Sequence, residues 1–413
     1  MKKLKLGVIG LGARGRDLLR GVLIPLCENK INIVALCDLY EDRIKDSADM
    51  VEKETGSRPA GFFDYNELLN MPEVEAVLIS AAWEAHTDIA VAAMKAGKAV
   101  ALEVGGAYTV EDCWKLVNTY EETGTQCMLL ENCCYGKREL MALNMVRQGV
   151  FGDIVHCAGG YHHDLRYEVV NGKENRHYRL RNYINRNCEN YPTHELGPIA
   201  KVLDINNGNR MLSLTSTASS AKGLHEYILD RKGKDSPLAG VEFLQGDIVT
   251  TVIKCAAGQT IVLTLDTTLP RSYSRDFTVR GTKGSYFEST DSIFIDHQHD
   301  KYEFNGKQLW GNAEKYEAEY LHPLWKNYVP KGGHNGMDWL VINAFADAVL
   351  TGKRVPIDVY DAATYMCITA LSEQSIALGG APVYIPDFTH GKWCRRDDIK
   401  EWEYSLDINK DIY

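Results

Sequence analysis

The six residues Gly10-Leu11-Gly12-Ala13-Arg14-Gly15 constrain this chain more than any other stretch, because they separate an apolar run from a helical pattern. Glycines at that spacing permit a tight turn after a strand. They also let a pyrophosphate approach backbone amides at the N-terminus of the following helix. Asp38 closes the next apolar run, at roughly the 20-residue separation expected of an acid that hydrogen-bonds a ribose. A carboxylate there repels the extra phosphate of NADP, so the pattern favours NAD. Arg14 either meets a phosphate or faces solvent.

The same alternation fills the first third of the chain. Apolar runs Leu4–Gly10, Ile31–Asp38, Val74–Ser80, Ala99–Glu103 and Gln126–Glu131 enclose helical patterns near residues 14–28, 41–55, 85–96 and 110–123. That order predicts a doubly wound parallel sheet, a Rossmann domain over residues 1–132. Trp83-Glu84-Ala85-His86 and Glu103-Val104 fall at later strand ends, where the crevice of such a sheet lies. Trp83 reads equally as a packing residue and His86 as a helix-start residue.

Past residue 150 the texture changes. Asp247–Cys255, Gln259–Thr267 and Asp276–Arg280 are rich in β-branched residues and separated by turns. They predict an open, mainly antiparallel sheet in an α+β second domain over residues 133–413. The stretch 171–190, rich in Asn and Arg, reads as a loop. Helices near 338–351 and 359–379 follow, expected at the domain junction, the first capped by Asp338 or the turn before it.

Length and composition narrow the classes. A chain of 413 residues is too long for one ordinary core. The net charge of -10 argues against a nucleic-acid surface, and no apolar run is long enough to span a membrane. Met1-Lys2-Lys3 leads straight into the first apolar run, leaving no signal-peptide core, so a cytoplasmic protein is expected. The eleven cysteines include no C-x-x-C pair. A reducing compartment is expected, with neither a disulfide framework nor a metal site.

Candidate chemistry concentrates in Tyr191-Pro192-Thr193-His194-Glu195-Leu196-Gly197-Pro198. Leu196, Ile199, Ala200 and Leu203 repeat at helical spacing, with Thr193 as the expected cap. His194 then lies in the first helical turn, where the dipole disfavours a positive charge, so a neutral imidazole suited to proton abstraction is expected. A structural histidine on a loop carbonyl is the bland alternative. Tyr161 and His163, two apart in a strand pattern, share one face, and His162 and Asp164 the other, which argues against a His162-His163 metal pair. Glu131 ends a strand, either reaching the crevice or serving as a structural carboxylate. His334 closes over a ligand or sits solvated in its glycine-rich turn.

Taken together, the pattern resembles the Gfo/Idh/MocA family, which joins a Rossmann domain to an open antiparallel sheet. Its dehydrogenases usually carry Glu-Lys-Pro where this chain has Glu103-Val104-Gly105, so their hydride-assisting lysine is missing. With Tyr161-His162-His163-Asp164-Leu165-Arg166, Tyr191-Pro192-Thr193-His194 and Gly332-Gly333-His334-Asn335-Gly336-Met337-Asp338, the chain is similar to glycoside hydrolase family 109. That family comprises NAD-dependent α-N-acetylgalactosaminidases. The resemblance implies cofactor contacts at Gly10, Gly12, Arg14, Gly15, Asp38, Trp83, Glu84, Ala85, His86, Glu103, Val104, Asn132, Arg179 (or Arg181), Pro192, Thr193 and His194. It implies substrate contacts at Tyr161, Tyr191 and Tyr273, and catalytic roles for His194, Tyr191, His163 and Glu131.

The reaction implied is hydrolysis through transient oxidation: hydride leaves C3 of the sugar for NAD, a base removes the C2 proton, and the C1 group is eliminated. Water then adds at C1 and the hydride returns, one of the redox exceptions to the two-carboxylate route. The substrate implied is a glycan or small molecule with a terminal N-acetylhexosamine, and a homo-oligomer is expected. Gly105 in place of proline and Glu195 in place of a frequent glycine are departures. Many relatives carry an export signal, which makes the periplasm the alternative location. A sugar or inositol dehydrogenase is the rival reading, and a catalytically idle NAD-binding sensor the third.

Overall fold

The computed structural model describes residues 2–105, 107–302, 305–394 and 402–406. They fall into two compact units, one of residues 2–135, 327–366 and 402–406, the other of residues 136–326 and 367–394.

In the first unit, β1 (Leu4–Ile9), β2 (Ile31–Cys37), β3 (Ala60–Phe62), β4 (Ala76–Ile79), β5 (Ala99–Leu102) and β6 (Cys127–Leu129) form one sheet. Its order is β3-β2-β1-β4-β5-β6 and every pairing is parallel. This is the doubly wound sheet expected, with its strand order reversing between β1 and β4. All residues of β4 and β5 are buried, as in strands covered on both faces. The strand β3 escapes the sequence reading because Ala60-Gly61-Phe62 is a short, largely exposed edge, too brief to show a period. The first helical segment contains a π turn at Leu19–Leu23, next to Pro25, whose missing N–H interrupts the regular ladder.

Residues 327–366, expected in the second domain, cluster with the first. The helix Met337–Thr351 packs on β1 and β5 and buries Leu340, Val341, Ile342, Ala344 and Phe345. The chain after it runs beside β6: Gln126 accepts from the Val355 amide and donates to the Lys353 carbonyl, both at 2.9 Å, and the Leu129 amide donates to Ile357 at 3.0 Å. Asp338 is not the cap of this helix. Gly336 precedes it at φ +92°, and the Asp338 carboxylate is engaged elsewhere.

The second unit holds β7 (Ile154–His162), β8 (Met211–Ala218), β9 (Ile248–Cys255), β10 (Thr260–Asp266), β11 (Thr278–Gly281), β12 (Gly284–Phe287), β13 (Ser292–Ile295) and β14 (Val383–Tyr384). They run β13-β12-β11-β7-β10-β9-β8-β14, antiparallel except for the parallel pair β7–β10. Alternate residues of β9 and β10 are buried, the signature of a sheet covered on one face. The helix Thr193–Val202 lies on β7, so close that a Cβ at Gly159 would stand 2.8 Å from Cβ of Glu195.

Two local expectations change here. Thr193 is the first helical residue, preceded by Pro192, and makes no capping bond; His194 remains in the first turn. The stretch 171–190 contains a helix, Arg179–Asn185. Its inward face is Arg179, Asn182 and Tyr183, at helical spacing but mostly polar, which hid it from an apolar-periodicity reading. Tyr183 anchors it through a 2.6 Å hydroxyl contact with Thr267. Among the described residues no helix is long and apolar enough to cross a membrane.

Candidate active site

In the first unit the three glycines separate into distinct roles. Gly10 takes φ +92°, and a Cβ there would lie 2.5 Å from the Ala81 amide nitrogen. A Cβ on Gly15 would lie 2.1 Å from the Gly10 carbonyl oxygen, so helix and turn touch backbone to backbone. A Cβ on Gly12 would meet nothing nearer than Arg43 at 3.7 Å. The turn and the packing thus require Gly10 and Gly15, whereas Gly12 leaves space. That open cradle at a helix N-terminus fits a dinucleotide pyrophosphate. Asp38 is buried beside it: its carboxylate accepts from the Leu11 amide at 2.7 Å and the Tyr40 amide at 3.1 Å.

Arg14 sits between two carboxylates. Its guanidinium donates to Glu103 at 2.8 and 3.1 Å and, through two nitrogens, to Asp338 at 2.7 and 2.9 Å. Asn132 donates to the same Asp338 carboxylate at 2.7 Å, and His334 Nδ1 lies 2.8 Å from it. Burial pushes the Asp338 carboxyl up, but hydrogen bonds from Arg14 and His334, with their charges, hold it well below the usual range. Burial likewise works against the Arg14 cation, and Glu103 and Asp338 outweigh it. The sequence joined His334 and Asp338 only as parts of one glycine-rich motif; their meeting with Arg14 spans more than 300 positions.

Trp83 begins the helix Trp83–Lys95 and is buried, Glu84 is exposed and Ala85 intermediate. Gly105 explains its own departure from proline: its φ is +80°, and a Cβ would fall 2.3 Å from the Trp83 indole nitrogen. Proline, locked near φ of about −65°, has no place there. His86 is buried with Nε2 2.9 Å from the Ala81 carbonyl and Nδ1 3.3 Å from that of Gly105. Burial lowers its pKa to about 4. Val104 is buried where the resembled dehydrogenases carry lysine, and Glu131 is buried with one oxygen on the Cys133 amide at 3.1 Å.

In the second unit β7, the Pro192 turn and the segment before β11 bring Tyr161, His163, Tyr191, His194 and Tyr273 into one aromatic cluster. The Tyr161 hydroxyl lies 2.9 Å from His163 Nδ1, confirming that these two side chains share a face. The Tyr161 and Tyr191 rings are 4.3 Å apart, and His194 stands edge-on to both, at 5.4 and 4.8 Å. Tyr273, 49% exposed, closes the cluster 5.2 Å from His163. Burial and then the Arg179 charge lower the His163 pKa, and burial raises that of Tyr161. Both are therefore uncharged at neutral pH. Pro192 and Thr193 are buried in the turn itself. Arg179 is buried with its guanidinium 5.2 Å from the Tyr191 ring centre, whereas Arg181 is exposed.

Both units match known proteins. Residues 135–395 match the family model described as the glycosyl hydrolase 109 C-terminal domain. The chain belongs to glycosyl hydrolase family 109. Residues 4–130 match the NAD-binding Rossmann fold of the GFO/IDH/MocA oxidoreductase family. The family 109 chain is 40% identical, over 95% of its length and 88% of the relative's, to a protein of Tannerella forsythia named alpha-N-acetylgalactosaminidase. It is also 40% identical to a glycosyl hydrolase family 109 protein of Parabacteroides distasonis, over 95% and 88% of the two chains. Among solved structures, levoglucosan dehydrogenase in complex with NADH and L-sorbose matches at TM-score 0.68 and 17% identity, covering 94% and 100% of the chains. A myo-inositol 2-dehydrogenase from Lactobacillus plantarum matches at 0.63 and 16%, covering 93% and 100%. At that identity these two show the fold alone. Family 109 membership makes this chain a glycosidase with a nicotinamide cofactor and a glycan substrate.

The glycine geometry yields opposite expectations for two alanines. Gly15→Ala should lower unfolding stability by about 1–3 kcal/mol through overpacking. Gly12→Ala, whose backbone is extended and whose Cβ has room, should fold normally yet weaken NADH binding at least about tenfold. Thermal melts and NADH fluorescence titration read both; equal melting losses would contradict the assignment. For His86, the folded pKa lies below the unfolded one, so its contribution is complete above pH 6.5 and is lost as pH falls toward about 4. That loss is worth about 3 kcal/mol. Urea unfolding across this range should show a shallower pH slope in His86→Gln than in the wild type.

Proposed function

We propose that this chain is an NAD-dependent α-N-acetylgalactosaminidase that cleaves terminal N-acetylhexosamine residues by transient oxidation at C3. The observation that carries the reading is the aromatic cluster itself: three tyrosines and two histidines gathered at one end of β7, on a chain with valine in place of the dehydrogenase lysine. The name of the Tannerella forsythia relative supports it. Asp38, a carboxylate at the end of β2, favours NAD over NADP, because a second phosphate beside it would be repelled.

A bound nicotinamide supplies one function, accepting a hydride from the sugar and later returning it. The chain's residues do the rest. Tyr161, protonated and donating to neutral His163, leaves its oxygen lone pairs to receive the sugar hydroxyl. As the C3 hydroxyl loses its proton to the Tyr161 oxygen, the phenol proton passes to His163 Nδ1, and the transfer reverses on reduction. His194 takes the proton from C2, made acidic by the C3 ketone; the freed electron pair forms the C1–C2 double bond as the C1 group leaves, water then adds at C1, and the proton returns to C2. The Tyr191 ring, packed against His194 and Tyr161, orients the pyranose, and Tyr273 contacts it from the exposed side. Asn132 and the strand-end residues Trp83–His86 and Glu103-Val104 are assigned to the cofactor side, and Glu131 to the catalytic set that the resemblance implies.

Incubation with an aryl α-N-acetylgalactosaminide and NAD tests the reading. Phenol release without net NADH is expected, together with exchange of the C2 hydrogen into deuterated water. Stoichiometric NADH with free sugars would instead mark a dehydrogenase. The His194→Ala protein should bind NADH yet lose C2 exchange by a factor of at least about 100; retained exchange removes His194 as the base.

A further inference from the structure

A carboxylate that the sequence pattern does not single out holds the cation beside Tyr191. Glu168 lies on the helix Arg166–Val170, and the segment that faces it, His177 to Arg179, opens the helix Arg179–Asn185. Glu168 Oε1 lies 2.8 Å from Arg179 Nε, an ion pair, and 3.2 Å from His177 Nε2. The Arg179 backbone amide donates to His177 Nδ1 at 3.2 Å. These three contacts form a closed circuit: guanidinium to carboxylate, carboxylate to imidazole, imidazole to the amide of the same arginine. The circuit also fixes the histidine tautomer. Nδ1 accepts from an amide, so the proton sits on Nε2 and points at Glu168. Stacking of His177 on Tyr178, with ring centres 4.4 Å apart and 24° between planes, holds the imidazole in place.

We propose that Glu168 is a positioning residue for the reaction, acting through Arg179 to fix the Tyr191 face of the sugar-binding cluster; the inference rests on the proposed glycosidase reading. The argument is one of charge and freedom. Arg179 is only 7% exposed, and its guanidinium sits over the Tyr191 ring at a distance suited to cation–π attraction. A buried cation needs a compensating charge close by, and the Glu168 carboxylate, 2.8 Å from Nε, supplies it. Glu168 itself is half-buried, and its 2.8 Å contact is with Arg179 rather than with a cluster ring, although its charge also reaches Tyr161 and His163.

The test uses Glu168→Gln, Arg179→Lys and the double variant in the full-length protein. With the aryl α-N-acetylgalactosaminide, each single variant should lose about tenfold or more in kcat/KM, the scale of one charge-assisted hydrogen bond. The double variant should lose no more than the worse single one, because both break one linkage. Melting temperature should stay within a few degrees of the wild type. Additive losses, or activity that falls only in step with melting temperature, would overturn the proposal. A second readout needs no turnover: in protein labelled with ¹⁵N-arginine, the Arg179 Nε–H should be protected from solvent exchange and should lose that protection in Glu168→Gln. Equal protection in the variant also overturns it. A wild type inactive on the glycoside but with the protected Nε–H would refute the glycosidase reading while leaving the Glu168–Arg179 linkage intact.

Discussion

One guanidinium fastens the carboxyl edge of the parallel sheet. Arg14 leaves the glycine turn and ends between Glu103, which follows β5, and Asp338, on a helix more than 300 residues later in the chain. Three segments with no local relationship are thereby tied at one point. Two carboxylates against one arginine would be a poor arrangement in water. Here Asn132 and His334 share Asp338, so the second negative charge is spread over several donors. Removing one partner of such a buried pair typically costs about 3–5 kcal/mol, because the other is left uncompensated.

The departure at position 105 lies at the same edge. A proline there is excluded by the positive φ and by the indole of Trp83 against that backbone.

Much of the fold was legible because it is written at short range. The six-residue glycine pattern, the spacing from Gly10 to Asp38 and the alternation in β9 and β10 are local periodicities, and each appears where expected. The short strand β3, the polar-faced helix Arg179–Asn185 and the return of residues 327–366 to the first unit were not. A three-residue edge has no period, a helix that buries arginine, asparagine and tyrosine has no apolar stripe, and a chain paired beside β6 through Gln126 leaves no local trace. The candidate site divides in the same way. Tyr161, His163, Tyr191, His194 and Tyr273 were named from motifs and do converge, whereas Glu168 and the pairing of Arg14 with Asp338 depend on contacts that only a folded chain makes.

At Gly159 a hydrogen atom stands where any other residue would carry carbon, and the helix bearing His194 rests on β7 at that spot. Tyr161 belongs to the same strand, two residues on. The clearance between strand and helix thus sets the gap between phenol and imidazole, and a methyl group introduced there would wedge the two surfaces apart like a shim. Lineages that enlarge position 159 would have to trim position 195 in compensation, so the spacing of the two rings is governed by a residue that carries no side chain.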